Sequence, residues 1–172
     1  MPALITYRTQ VLPEWVDYNG HLRDAYYLLI FSYATDALME RIGLDADARG
    51  QSGHSLFTLE AHINYLHEVK LDTEVWVQTQ VIGFDRKRLH LYHSLHREGF
   101  DEALAASEQM LLHVDLAGPR SAPFSERCRE QLQALANQQQ DQPPPGLIGR
   151  TIQLPARSHE MFAHIKNNPG KP

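Results

Sequence analysis

The chain has 172 residues, of which 42% are hydrophobic and 22% are charged, and its formal net charge is −5 at pH 7. This length fits a single globular domain with a sizeable core. The negative charge argues against nucleic acid as the main partner, and it requires any site for an anionic ligand to be locally basic.

The sequence also gives expectations about the compartment. The longest apolar run, residues 25–31, is far shorter than the ~20 residues of a membrane-spanning helix, so we expect no membrane partner. Residues 1–4 lack the basic start and apolar stretch of a signal peptide. Because Cys128 is the single cysteine, an internal disulfide is excluded, and we expect a reducing, cytoplasmic location.

The first predicted elements are a strand and a long helix. Residues 4–12 alternate in polarity and stop at Pro13, which is typical of a strand. Residues 24–42 predict a helix that ends before Gly43. The polar residues of this helix make one thin stripe, which consists of Ser32, Asp36 and Glu40. A helix that is apolar around most of its circumference must be enclosed by other structure.

Four further strands are predicted after the helix. Alternating polarity places them at residues 55–66, 74–84, 88–97 and 104–115. The segments between the last three are short enough for hairpins. In the first of these strands, Phe57 and Leu59 belong to the predicted inner face and Thr58 to the outer face. We therefore predict an α+β fold, in which a mainly antiparallel sheet wraps around one long central helix.

The chain changes character after this sheet. We divide it into a main domain at residues 1–120, a short C-terminal helix at 121–137, and a proline-containing linker and tail at 138–172. Ser125 is the predicted N-cap of the C-terminal helix. The linker contains the segment QQQDQPPPG, whose prolines predict an extended backbone.

The segment WVDYNGHLRD places several polar residues directly before the long helix. A carboxylate at a helix start, here Asp17, can attack a carbonyl carbon or activate water. Unpaired amides of the first helical turn, near Arg23 and Asp24, can stabilise negative charge on the carbonyl oxygen. The alternative is that Asp17 or Asn19 only caps a turn.

This motif and the order of elements resemble the hotdog-fold acyl-CoA thioesterases of the 4-hydroxybenzoyl-CoA thioesterase type. The segment Asp17-Tyr18-Asn19-Gly20-His21 matches the D-x-N-G-H pattern of that family, between the first strand and the long helix. The resemblance covers residues 5–115, and it implies a hotdog fold and hydrolysis of acyl-CoA. The chain departs from the family at Arg23 and Asp24, where asparagines are usual.

The resemblance also implies roles for the motif residues. It makes Asp17 the nucleophile or general base, with Asn19, His21 and Asp24 completing the catalytic end. Asn19 and His21 are expected to hold the loop in place. Gly20 permits a turn or a close approach of the ligand that a side chain would block.

The coenzyme A end of the substrate is expected at a basic hairpin. Family members contact the nucleotide there, and the matching residues are Arg86, Lys87 and Arg88; a solvated hairpin tip is the alternative. No separate cofactor is expected, because coenzyme A is part of the substrate. Family sites lie between subunits, so we expect a homodimer or homotetramer.

Ten histidines raise the question of a metal site. Strand periodicity puts His93 on the opposite face from His90 and His96, so we expect no catalytic metal. A histidine among leucines, such as His93, is more typical of a core residue with a satisfied hydrogen bond. Glu108 belongs to a predicted apolar face, where it either lines the acyl pocket or makes a structural hydrogen bond.

Aromatic residues cluster around the motif, and they either pack in the core or bind substrate: Trp15, Tyr18, Tyr26 and Tyr27. Aromatic faces near carboxylates suit a quaternary ammonium group. The segments WVDYNGH and EQMLLHVD are most similar to a branch of the family that releases betaine from betainyl-CoA in carnitine breakdown. The resemblance therefore implies a thioesterase for a short or polar acyl-CoA, with betainyl-CoA as the first candidate.

Two other functions remain open from the sequence. A non-catalytic acyl-CoA-binding hotdog module would gain nothing from a carboxylate near the acyl end, so Asp17 favours an enzyme. A dehydratase of the same fold would need a histidine and an acid on the helix, and the expected pattern is missing here.

Overall fold

The computed structural model describes residues 3–118 and 120–154, so our expectations for residues 155–172 of the tail lie outside the described residues. A 3-10 turn at Pro13–Trp15 precedes the first helix. The helices and strands, in chain order, are β1 (Ile5–Gln10), α1 (Asp24–Arg41), α2 (Ala46–Ser52), β2 (His54–Tyr65), β3 (Glu74–Phe84), β4 (Arg88–Arg97), β5 (Phe100–Asp115), β6 (Arg120–Ser121) and α3 (Glu126–Gln138). Within the described residues, no helix is both long and apolar enough to cross a membrane.

One antiparallel sheet holds all six strands. Its order is β1-β3-β4-β5-β2, with β6 paired to β5, so β1 and β2 are the two edges of the main sheet. Helix α1 buries Ile30, Phe31 and Leu38 completely against the inner face, where Leu91 and Leu95 of β4 are also fully buried. This arrangement confirms the predicted α+β hotdog fold, in which the sheet encloses one long helix.

The prediction of which side chains of β2 point towards the helix is wrong for the first half of the strand. A β-bulge between Thr58 and Glu60 shifts the register against β5. Before the bulge Phe57 pairs with Leu112, and both Phe57 and Leu59 are exposed. An extra residue in one strand reverses which side chains point inward, and alternation in a single strand cannot reveal it.

Glu108 lies on the outer face of β5 and not on the apolar inner face predicted for it. Its neighbours Ser107 and Gln109 are the buried residues, and Glu108 itself pairs with Tyr92 of β4. The carboxylate is 2.8 Å from Nε2 of His90, which supports the structural hydrogen bond that was one of its two predicted roles. Both faces of this strand carry apolar residues, so its pattern did not show which face meets the helix.

His93 is fully buried and hydrogen-bonded at both ring nitrogens. Nε2 is 3.0 Å from Oγ1 of Thr35 on α1, and Nδ1 is 2.8 Å from Oγ1 of Thr79 on β3. The ring stacks on Phe31 with 5.8 Å between centroids. This confirms the prediction of a core histidine with satisfied hydrogen bonds, and it ties α1 to the sheet through polar contacts.

The C-terminal segment is attached to the sheet by side-chain bonds. The amide of Gln139 accepts the backbone N–H of Val81 and donates to the carbonyl of Thr79, both at 2.8 Å. Further along, the backbone N–H of Gly149 donates to Oε2 of Glu108 at 2.7 Å. The segment after α3 therefore crosses the outer face of the sheet from β3 to β5.

Candidate functional site

The loop between the 3-10 turn and α1 is folded around the carboxylate of Asp17. Its Oδ1 accepts the backbone N–H groups of Asn19 at 2.8 Å and His21 at 3.1 Å. The carbonyl of Asp17 accepts the N–H of Gly20 at 3.0 Å, which closes a tight turn. Gly20 has a φ of 74°, in the left-handed region that favours glycine.

Asp17 is ionised at neutral pH. The backbone bond from His21 and the further bond from Asn19 hold the pKa of this carboxyl below its usual value, against the smaller effect of burial. Oδ2 accepts no hydrogen bond from the part of the chain that the structure describes. One carboxylate oxygen is thus fixed by the backbone, and the other is available to a ligand or a water molecule.

The loop is also fixed against the segment between β2 and β3. Leu22 donates its N–H to the carbonyl of Val69 at 2.7 Å, and Leu71 donates to the carbonyl of Gly20 at 3.1 Å. His21 and Lys70 form an antiparallel bridge between these two contacts. This backing keeps Asp17 in a constant position relative to the start of α1.

The first turn of α1 offers fewer free amides than the sequence predicted. The N–H of Arg23 donates to the carbonyl of Trp15 at 3.0 Å, and that of Ala25 is 2.9 Å from Oδ1 of Asp24. The prediction that the backbone amide of Arg23 is an oxyanion donor is therefore wrong, because this amide is already hydrogen-bonded within the loop. Among the described contacts the amide of Asp24 has no acceptor, and it remains the candidate donor at the positive end of the helix.

A cleft of about 340 Å³ opens beside the motif. It brings together all four predicted catalytic residues, namely Asp17, Asn19, His21 and Asp24. Four further residues of the lining come from β2 and the segment after it: Leu66 and three residues with polar side chains, namely Tyr65, His67 and Glu68. The volume falls at the lower end of the range for small-molecule sites.

Sequence reasoning missed these three residues. Tyr65 alternates correctly onto the inner face of β2, but nothing in the local pattern connects it with a helix start 41 residues earlier. The bond that makes this connection runs from the hydroxyl of Tyr65 to the carbonyl of Asp24 at 3.2 Å. The aromatic and acidic residues just after β2 were the available signal.

The predicted aromatic residues do not all face the cleft. Tyr27 lines it, with its ring centroid 5.2 Å from that of Tyr65 in an edge-to-face arrangement. Trp15 and Tyr26 instead stack on each other, 5.8 Å apart, and do not line it. The side chain of Tyr18 is 94% exposed and points away from the core. The aromatic residues of the cleft are therefore Tyr27, which is buried, and Tyr65, which is exposed.

The basic hairpin between β3 and β4 is ordered by an aspartate. Oδ1 of Asp85 accepts the backbone N–H groups of Lys87 and Arg88, and Oδ2 accepts Nε of Arg88 at 2.7 Å. The Arg88 side chain and these two backbone bonds lower the pKa of Asp85 to about 2. Arg88 is thus neutralised by Asp85, and Lys87 donates to Oγ of Ser121 at 2.9 Å. Within the described residues Arg86 has no side-chain partner.

The motif and the hairpin lie at opposite ends of the sheet. The motif is joined to the end of β3 near Glu74, through Lys70, whereas Arg86 follows the other end at Phe84. At ~3.3 Å per residue, the 11 residues of β3 separate these ends by roughly 33 Å. One chain therefore does not bring the two predicted halves of the site together.

The histidines do not assemble a metal centre in the region that the structure describes. No group of three or more histidine, cysteine or acidic side chains there could hold a metal ion. His90 bonds Glu108, His67 bonds Glu102 at 3.0 Å, and His21 lies 3.4 Å from Glu68. Each of these three histidines is paired with a single carboxylate.

Comparison with known proteins shows the family. Residues 11–132 match the thioesterase-like superfamily. A protein from Pseudomonas aeruginosa named betainyl-CoA thioesterase is 62% identical over 153 residues, which are 89% of this chain and 96% of that protein.

Solved structures share the fold. A crystal structure of a candidate thioesterase from Pseudomonas putida has a TM-score of 0.83 and 76% identity, covering 91% of this chain and 99% of that one. A protein from Staphylococcus aureus, solved in complex with CoA, has a TM-score of 0.84 and 29% identity, covering 90% and 98%. The chain belongs to the thioesterase-like superfamily.

Proposed function

We propose that this protein hydrolyses betainyl-CoA to betaine and coenzyme A. The carrying observation is an ionised carboxylate, Asp17, held by backbone bonds in a cleft that also contains aromatic rings and the start of α1. The name of the Pseudomonas aeruginosa relative, which is 62% identical, supports the choice of substrate. In the reaction the C–S bond of the thioester breaks, water supplies the new oxygen of the acid, and the thiol leaves.

Asp17 supplies the reactive group in this proposal. It either attacks the thioester carbonyl itself or removes a proton from the attacking water, and both roles need the ionised carboxylate. The amide of Asp24 and the dipole of α1 stabilise the negative charge that develops on the carbonyl oxygen. Asn19 and His21 act through their backbone N–H groups, which hold Asp17 in place.

The coenzyme is held by the hairpin in this proposal, with Arg86 and Lys87 contacting its phosphates. The motif and the hairpin of one chain lie at opposite ends of β3, roughly 33 Å apart. In this proposal the motif of one chain therefore works with the hairpin of another. This makes the functional unit a homodimer with shared sites.

The exposed edge of β2 is the surface we propose for the dimer. Within the described residues this edge has no strand partner, and β2 carries the exposed apolar residues Phe57 and Leu59. Antiparallel pairing of β2 with the same strand of a second copy would place the motif end of one chain beside the hairpin end of the other. A tetramer built from two such dimers is compatible with the same pairing. The buried free thiol of Cys128 suits the reducing cytoplasm in which we expect the enzyme to work.

A panel of acyl-CoAs assayed for thiol release tests the proposal. Betainyl-CoA should have a kcat/KM at least ~10-fold above that of 3,3-dimethylbutyryl-CoA, which has the same shape without the charge. Equal values, or a preference for the neutral compound, would contradict betainyl-CoA as the substrate. Binding without thiol release from any member of the panel would favour the non-catalytic acyl-CoA-binding module.

A further inference from the structure

The cleft beside Asp17 has an aromatic corner made by two tyrosines from different elements. Tyr27 of α1 is buried, whereas Tyr65 at the end of β2 is 52% exposed. Their rings meet edge to face, with an interplanar angle of 82°. Tyr27 therefore packs against the ring of Tyr65 on the buried side, and the exposed surface of Tyr65 faces the cleft.

Two further contacts fix this corner to the start of α1. The hydroxyl of Tyr65 donates to the carbonyl of Asp24 at 3.2 Å, and the hydroxyl of Tyr27 is 3.5 Å from the carbonyl of His67. Burial raises the pKa of Tyr27 to about 12, and burial with the nearby Asp24 raises the pKa of Tyr65. Both rings are thus neutral phenols, so the corner carries no negative charge of its own.

The charge of the cleft comes from carboxylates. Asp17, Asp24 and Glu68 all line it, and among the described residues the lining has no lysine or arginine, although Arg23 is near enough to help lower the pKa of Asp17. The side chain of Glu68 is 78% exposed and lies 3.4 Å from His21. An anionic acyl group would be repelled here and a neutral one would gain little, whereas a cation would be attracted both by the carboxylates and by an aromatic face.

We propose that Tyr65, supported by Tyr27 and helped by the carboxylate of Glu68, binds the trimethylammonium group of the substrate and so determines its specificity. This inference rests on the proposed function, because it concerns the acyl end of the same substrate. Asp17 lines the same cleft, and in this proposal the thioester carbonyl lies beside it while the ammonium group lies against Tyr65.

Substitutions at Tyr65 distinguish the contribution of its aromatic ring to specificity from that of its hydroxyl. Tyr65→Phe keeps the aromatic face and loses the bond to Asp24, whereas Tyr65→Leu keeps an apolar side chain and loses the face. We expect Tyr65→Leu to lower kcat/KM for betainyl-CoA by ~10-fold and that for 3,3-dimethylbutyryl-CoA by less than ~2-fold. Tyr65→Phe should retain most of the preference for betainyl-CoA. Tyr33→Leu removes a partly exposed tyrosine of α1 that does not line the cleft, and it serves as the matched control.

Glu68→Gln tests the electrostatic part. It should reduce the preference for betainyl-CoA several-fold at low ionic strength, and the reduction should shrink as salt is added, since the carboxylate is exposed. KM is expected to change more than kcat, because the ammonium contact is present in both the bound substrate and the transition state.

The outcomes distinguish the two proposals. If the wild-type protein does not prefer betainyl-CoA, the proposed function fails. If it does prefer betainyl-CoA but Tyr65→Leu lowers kcat/KM for both substrates equally, the proposed function stands and the aromatic corner is not the ammonium site. Sedimentation of the Tyr65 variants shows whether the oligomer is intact. If Tyr65→Leu alone loses assembly, Glu68→Gln becomes the deciding variant. Unchanged preference in Glu68→Gln at low salt would contradict its part in the site.

Discussion

The backbone N–H of His21 donates to Oδ1 of Asp17 at 3.1 Å, so the loop itself sets the orientation of the carboxylate. The amide oxygen of asparagine can accept the same bond and the one from Asn19. Asp17→Asn therefore removes the reactive group while keeping the local geometry. We expect turnover of the best acyl-CoA substrate to fall by ~10² or more with binding retained.

Stopped thiol-release assays and equilibrium binding of the substrate measure this separation. Circular dichroism of the variant gives the control for folding. Near-full turnover by a correctly folded Asp17→Asn protein would show that another group performs the chemistry.

The hairpin prediction concerns binding and not chemistry. The double variant Arg86→Ala/Lys87→Ala should raise KM for acyl-CoAs, because two positive charges near the phosphates are lost. An acyl-pantetheine lacks the nucleotide and should be hydrolysed almost as before. Arg129→Ala removes a single cation on the exposed face of α3 and serves as a control. Equal losses on both substrates would mean that the hairpin acts through folding.

His93 should make stability depend on pH. Burial lowers its pKa to about 3 from the ordinary 6.5, so the folded protein holds the ring neutral while the unfolded chain protonates it. This stability is full above about pH 6.5 and is lost as pH falls towards 3, by up to ~1.4 kcal/mol per pH unit. Urea unfolding of wild type and His93→Gln over that window should give a flatter pH dependence for the variant. Parallel curves would contradict this assignment, since the other groups are common to both proteins.

Gln139 should anchor the C-terminal segment. Its side chain is buried and satisfies two backbone groups of β3, so Gln139→Ala leaves the N–H of Val81 and the carbonyl of Thr79 without partners. We expect a loss of about 1–3 kcal/mol in the free energy of unfolding. The neighbouring, exposed Gln140→Ala should cost little. A stability for Gln139→Ala equal to that of Gln140→Ala would show that water replaces the two bonds.

The bounds of the long elements were predictable from local pattern. The predicted strands 74–84 and 88–97 agree with β3 and β4 at both ends, and α1 begins at Asp24 as expected. These segments combine strong periodicity with short turns or a polar start, which are signals carried within a few residues. The short helix α2 was missed because it has no buried residue, and thus no hydrophobic period to detect.

Features that depend on distant residues could not be predicted. The bulge after Thr58 is defined by pairing with β5, which lies about 50 residues away along the chain. In the same way, the amide of Arg23 is engaged by Trp15 through the path of the loop. The D-x-N-G-H motif was visible because its five residues are contiguous, whereas Tyr65 and Glu68 join the cleft through tertiary structure.

The separation of motif and hairpin across the sheet has a genetic consequence. If each site combines Asp17 of one subunit with Arg86 and Lys87 of its partner, then Asp17→Asn and Arg86→Ala/Lys87→Ala damage different halves of the same site. A mixed dimer of the two variants would place both defects in one of its sites and leave the other site intact.

Two inactive or weakened proteins should therefore restore activity when they are unfolded together and refolded as a mixture. With random pairing, half of the dimers are mixed and each has one whole site, which gives about one quarter of the wild-type sites. Such complementation would be absent if each chain contained a complete site of its own.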